Sequence, residues 1–134
     1  MPVLLFALSG KVVSVHDGDT ITILQDKQQI KVRLFGIDAP ELKQPYGKKS
    51  KQFLSNLIAG QIVEVEENGK DRYKRTIGTI YLDGADINAK MVENGYAWAY
   101  RRFSKKYAPQ ESEAKFEKRG LWRDDPIPPW VFRH

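Results

Sequence analysis

Two acidic segments and two arginines carry the residue types from which a catalytic site could be built. "HDGDT" (16–20) places Asp17 and Asp19 around Gly18, "RLFGIDAPE" (33–41) holds Arg33, Asp38 and Glu41, and "DRYKR" (71–75) ends in Arg75. Asp17-Gly18-Asp19 is either a plain turn, because glycine accepts positive φ and aspartate bonds nearby backbone, or half of a metal site. A hairpin loop over 25–29, centred near Lys27, sets Asp19 across from about Phe35, so that Asp19, Arg33 and Asp38 meet at one end of a strand pair. Two carboxylates converging there can bind a divalent cation, a backbone carbonyl and waters completing the ~6–8 oxygens that calcium takes. An EF-hand is excluded: the glycine stands second rather than sixth, and no glutamate follows at the twelfth position. Arg33, flanked by Val32 and Leu34, points away from the face those two fill. With Arg75 it could grip a phosphodiester and neutralise a five-coordinate transition state. Glu41, three residues beyond Asp38, could hold the attacking water as general base, a role worth ~10²–10⁴-fold.

The elements that must position these residues are short strands followed by interleaved helices. Val13 and Val15 alternate with polar neighbours, as do Ile21 and Ile23, then Ile30, Val32 and Leu34. Further strands are predicted over 61–67 and 76–82, and five strands separated by turns predict a small barrel. Helical spacing appears at 48–58, with Phe53, Leu54, Leu57 and Ile58 on one side and Gly60 after it. It recurs at 86–94, with Asp86 as N-cap and Gly95 as stop, and at 110–119, a charged segment ending at Gly120. The last stretch, 123–134, is proline-rich and reads as an extended strap. Strands first and helices later point to an α+β domain.

Composition narrows the chemistry. The chain has 134 residues, enough for one domain, with 41% hydrophobic residues to fill a core. A formal charge of +5 permits a polyanionic partner. Absence of cysteine rules out disulfides and thiolate-bound zinc, and two histidines are too few for a closed zinc site, so any metal must be a hard cation on oxygen. Residues 1–9 are largely apolar and too short to span a bilayer, which needs ~20 residues. They read either as the remnant of an export leader, Ala7-Leu8-Ser9 resembling a cleavage site, or as a first strand. The leader reading makes the protein secreted or periplasmic.

Taken together and in this order, "HDGDT", "VRLFGIDAPE", "DRYKR" and "GLW" resemble the staphylococcal nuclease (thermonuclease) family, over about 10–122. The resemblance implies a five-stranded OB-type Greek-key β-barrel with about three α-helices, and calcium-dependent hydrolysis of DNA and RNA to 3′-phosphate products. By position it assigns Asp19, Asp38 and the main-chain carbonyl of Ala39 to Ca2+, Glu41 to the general base, and Arg33 and Arg75 to the phosphate. Asp17 falls near the metal without being a usual ligand, and Thr20 supports the ligands. Arg72, Tyr73 and Tyr100 match nucleotide-contacting positions. Ala39 stands where the best-known member has threonine, which a backbone ligand tolerates. The segment from Glu41 to Tyr46 is shorter, and Arg101-Arg102 replaces part of an aromatic pair.

The expectation is therefore a monomeric, sugar-nonspecific nuclease, with single-stranded DNA and RNA preferred and no membrane in the mature form. The alternative is a non-catalytic OB-fold module that binds nucleic acid. The five filled positions at Asp19, Arg33, Asp38, Glu41 and Arg75 argue against it. A barrel that binds a protein partner would leave this cluster unexplained.

Overall fold

β-branched residues at every second position make the first hairpin. In the computed structural model, which describes residues 8–133, β1 (Leu8–Asp17), β2 (Thr20–Gln25) and β3 (Gln28–Leu34) form an antiparallel meander. Ile21, Ile23 and Val32 are fully buried, as the alternation requires. The expected leader or strand at 1–9 lies, for residues 1–7, outside the described residues, whereas Leu8 and Ser9 already belong to β1.

Two expectations for this meander need correction. The β2–β3 loop is two residues long, not five: Gln25 faces Gln28, and Asp26 takes a left-handed φ of 55°, which an aspartate tolerates. The register is thereby one residue off the expected one. Thr20 faces Arg33, and the carbonyl of Asp19 accepts a hydrogen bond from the N–H of Leu34 at 2.8 Å, where Phe35 had been the expected neighbour. In β1 the core residue is Val12, while Val13 is 44% exposed. A register shift between Val12 and Ser14 interrupts the period-two pattern and returns Val15 to the barrel side.

β5 (Ile62–Lys70) pairs with β1, β6 (Thr76–Leu82) pairs with β5, and β6 closes the barrel by running parallel to β3. The closed order β1-β2-β3-β6-β5 is the five-stranded OB-type arrangement, a Greek key of α+β class. Gly78 permits the closure. It faces Leu34 on one side and Glu67 on the other, and a Cβ there would lie 2.5 Å from Val65 Cγ1.

The remaining elements sit around the barrel. β4 (Ile37–Asp38) pairs with β8 (Trp98–Ala99), setting Asp38 opposite Trp98. α1 (Gly47–Ile58) buries Ser50, Leu54 and Ile58. After β7 (Ala85–Asp86), α2 (Ile87–Glu93) starts at the expected cap: the Asp86 side chain accepts from Ala89 N at 2.9 Å. α3 (Ala108–Phe116) begins and ends earlier than its charge pattern predicts, because Pro109 opens its first turn. A 3-10 turn (Gly120–Arg123) follows. The proline-rich tail is not wholly extended; a single turn, α4 (Pro129–Phe132), starts where Pro129 fits the first helical position. Among the described residues no helix is long and apolar enough to cross a membrane.

Candidate active site

The turn between β1 and β2 forms the first wall of the site, and its glycine serves packing. Gly18 is not among the residues with positive φ, contrary to the turn expectation. A Cβ at this position would meet Ala39 Cβ at 2.7 Å and Ser50 Cβ at 2.8 Å, so the turn lies pressed between the β4 segment and α1. That close approach fixes Asp19. Its Oδ2 accepts from Ala39 N at 2.8 Å and its Oδ1 from Thr20 Oγ1 at 3.1 Å, while the Asp19 N–H donates to Asp17 Oδ1 at 3.0 Å. Burial would raise the Asp19 carboxyl, but the Arg33 guanidinium and these donors hold it below the ordinary value. Asp17 is pushed up to about 7 by burial and by the neighbouring Asp19 charge.

Arg33 joins this wall to the next one. Its Nη2 lies 3.5 Å from Asp19 Oδ2 and 3.5 Å from Asp38 Oδ1, and its Nη1 donates to its neighbour's carbonyl, Leu34 O, at 2.8 Å. One nitrogen thus bridges two carboxylates, of which Asp38 is 1% exposed. Burial raises the Asp38 carboxyl, and Arg133 works against that rise.

Arg133 is the member of the site that sequence reasoning missed. Its Nη2 donates to Asp38 Oδ2 at 2.8 Å, its Nη1 to Asp38 Oδ1 at 3.3 Å, and Nη1 also donates to Glu41 Oε1. The only sequence signal was one cation in the apolar stretch "PPWVFR", and no spacing ties it to Asp38 across the chain.

Arg75 lines an adjoining cavity of about 660 Å³, whose lining also includes Arg33, Phe35, Tyr100, Arg102 and Phe103. It is aimed by its own loop: Asp71 Oδ2 accepts from Arg75 Nε at 2.6 Å, and Asp71 Oδ1 accepts from the N–H groups of Tyr73 and Arg75. Tyr73 is 67% exposed, with the Arg72 guanidinium 5.1 Å from its ring centre. Tyr100 stacks on Trp130 at 5.4 Å with 5° between the planes. The fold therefore gathers Asp17, Asp19, Thr20, Arg33, Asp38, Ala39 and Glu41 into one cluster. Arg72, Tyr73, Arg75 and Tyr100 line or flank the cavity beside it.

The donor set fits a hard cation. Among the described residues no three acidic or imidazole side chains could hold a metal by themselves, so main-chain oxygen and water must complete any shell. The two buried carboxylates are oxygen donors only, and both are already drawn onto guanidinium cations where a metal's charge would stand.

Comparison with known proteins places the chain in a family. Residues 31–124 match the family model described as staphylococcal nuclease homologue. An uncharacterized endonuclease of Escherichia coli O157:H7 is 43% identical over 99% of this chain and 90% of its own length. A micrococcal nuclease of Shigella flexneri is 42% identical over 92% of this chain and 79% of its own. An uncharacterized endonuclease of Haemophilus influenzae is 43% identical over 92% and 71%. The chain belongs to the staphylococcal nuclease family, a family of nucleic-acid hydrolases.

Proposed function

We propose that this protein is a calcium-dependent, sugar-nonspecific nuclease that hydrolyses phosphodiester bonds of DNA and RNA and leaves 3′-phosphate ends. The observation that carries the proposal is the Arg33 bridge between two buried carboxylates, Asp19 and Asp38, opening onto a cavity that Arg75 shares. Asp19, Asp38 and the Ala39 carbonyl would hold the calcium, which when bound supplies positive charge to the phosphate and its attacking water. Glu41, beside Asp38 at the exposed edge, takes a proton from that water as its oxygen attacks phosphorus. The phosphorus–O5′ bond then breaks and the leaving oxygen takes a proton from solvent water, giving a 3′-phosphate and a 5′-hydroxyl. Arg33 and Arg75 donate to the phosphoryl oxygens from two sides as negative charge builds there. The exposed ring of Tyr73, with Tyr100 at the cavity, favours unpaired bases, since stacking needs a free base face.

The test is incubation of heat-denatured DNA and of RNA with the protein in calcium, in magnesium and in chelator. Cleavage in calcium that chelator abolishes, with products that accept no label at the 3′ end until dephosphorylated, is the expected result. Full-length substrate persisting in calcium at micromolar protein refutes the enzyme reading, and retained binding would then favour the non-catalytic module.

A further inference from the structure

The tail segment that carries Arg133 is tied to the site at three places. The buried Gln44 donates from Nε2 to the carbonyl of Ile127, while its Oε1 accepts from Glu41 N, so the loop bearing Glu41 and the tail share one side chain. Three residues on, Trp130 stacks flat on Tyr100 and meets Trp98 edge-on at 6.2 Å. Three residues further, the Arg133 guanidinium spans both oxygens of Asp38 and reaches Glu41. Trp98 is itself paired with Asp38 across β4 and β8, so the aromatic stack and the guanidinium approach one strand pair together.

This guanidinium engages the oxygen atoms that a divalent cation would need. Both oxygens of Asp38 accept hydrogen bonds from Arg133, and Glu41, the candidate base, is paired with the same group. A cation bound to these oxygens would stand a few ångströms from the guanidinium that spans them, and the like charges repel, so the two occupants compete. Asp19 has Arg33, not Arg133, as its cation partner.

We propose that Arg133 is a built-in counter-ion of the metal-free site: it occupies the Asp38–Glu41 oxygens, lowers the affinity for divalent cations, and is displaced when a cation enters. Displacement releases Glu41 to act as a base. The device keeps buried carboxylates paired when no cation is present and keeps the base disarmed until one arrives. It rests on the reading of Asp19 and Asp38 as the cation site, and its test is a binding measurement in the absence of nucleic acid.

Calcium alone is titrated calorimetrically into chelator-treated full-length protein, unaltered, Arg133→Gln and Arg133→Lys. Charge-assisted, two-point pairing is worth roughly tenfold or more, so Arg133→Gln should bind calcium about tenfold more tightly. Arg133→Lys, which keeps the charge and loses the fork, should fall between. Equal constants in all three proteins refute the competition while leaving the cation site intact. Weaker binding in Arg133→Gln also refutes it, and would make Arg133 a builder of the site. No calcium binding to any of the three overturns the cation site and the inference with it. The unaltered protein gives a second measurement: tryptophan emission should change along the calcium titration as the segment holding Trp130 on Tyr100 loosens, and emission that stays flat through saturation counts against displacement.

Discussion

Replacing Arg33 with methionine should destabilise the metal-free protein by about 2–3 kcal/mol, and calcium should recover much of that loss. The magnitude follows from what the change leaves behind. Asp38 keeps Arg133, but Asp19, whose side chain is 9% exposed, loses its ion-pair partner. Removing one member of a buried pair costs ~3–5 kcal/mol, most of it the burden of the stranded charge. Two features reduce the figure: Asp19 retains donors from Ala39 and Thr20, and Arg33 stands at 3.5 Å rather than in close contact. For a domain of this size ~1 kcal/mol moves the midpoint by roughly 3–5 °C, so thermal unfolding followed by circular dichroism in chelator should show a drop of about 10 °C. The pH dependence fixes the sign. Asp19 titrates below its ordinary value of 3.8 in the folded protein, so its pairing stabilises above that pH and is lost as pH falls through the folded pKa. The gap between the two proteins should therefore be widest near neutrality, shrink as pH falls below about 3.8, and close only once pH has passed below the folded pKa of Asp19. A drop under 2 °C at pH 7 in chelator would refute the reasoning, as would a gap of the same size at pH 3 or one that widens in calcium.

Three further perturbations probe other parts of the site. Glu41→Gln should lower the rate of hydrolysis by ~10²–10⁴-fold with calcium affinity undiminished, and a parallel loss of both in calorimetry and kinetics would make Glu41 a ligand instead of a base. Gly18→Ala forces a methyl group against Ala39 Cβ and Ser50 Cβ, which should cost ~1–3 kcal/mol in urea unfolding and weaken calcium binding by displacing Asp19; an unchanged midpoint would show that the turn relaxes freely. Asp71→Ala leaves Arg75 in place but removes the carboxylate that aims it, so kcat/KM should fall by about tenfold, the range of a lost charged hydrogen bond, with little change in stability; a large stability loss without an activity loss would mean Asp71 only closes its turn.

How much of this was legible depended on the distance over which each signal acts. Ile21, Ile23 and Val32 announce the barrel because alternation is local, and Asp86 announces α2 because a cap touches its own helix. The β1 bulge was invisible, since Val12-Val13-Ser14-Val15 reads equally well with either valine inward until the partner strand sets the register. Gly18 was rightly taken for a turn residue and for the wrong reason. Its demand for space comes from Ala39 and Ser50, more than twenty residues away. Glu111 is a comparable case: the charged face of α3 hides a buried carboxylate that accepts from Ala99 N at 2.7 Å and pairs with Arg101 and Lys115. Arg133 was the least legible of all, because a lone cation among prolines and aromatics carries no period, and only the folded chain shows which carboxylates it meets.

The carboxylates that suit this site to a cation are a liability to the fold without one. Burial, and after it the Asp19 charge, pushes the Asp17 carboxyl up to about 7 and raises that of Asp38 as well. The fold answers with two guanidiniums, and they are differently placed. Arg33 rises from the C-terminal end of barrel strand β3, with the Leu34 carbonyl fixing one nitrogen. Arg133 follows a short turn outside the barrel strands, held by the Gln44–Ile127 bond, the buried Pro129 and the contacts of Trp130 with Tyr100 and Trp98. A ligand that binds the folded state at a hundred times its dissociation constant adds ~2.7 kcal/mol of stability, minus whatever contact it displaces. Calcium should therefore raise the melting midpoint more in Arg133→Gln than in the unaltered protein, because the variant has no Arg133 contact to surrender.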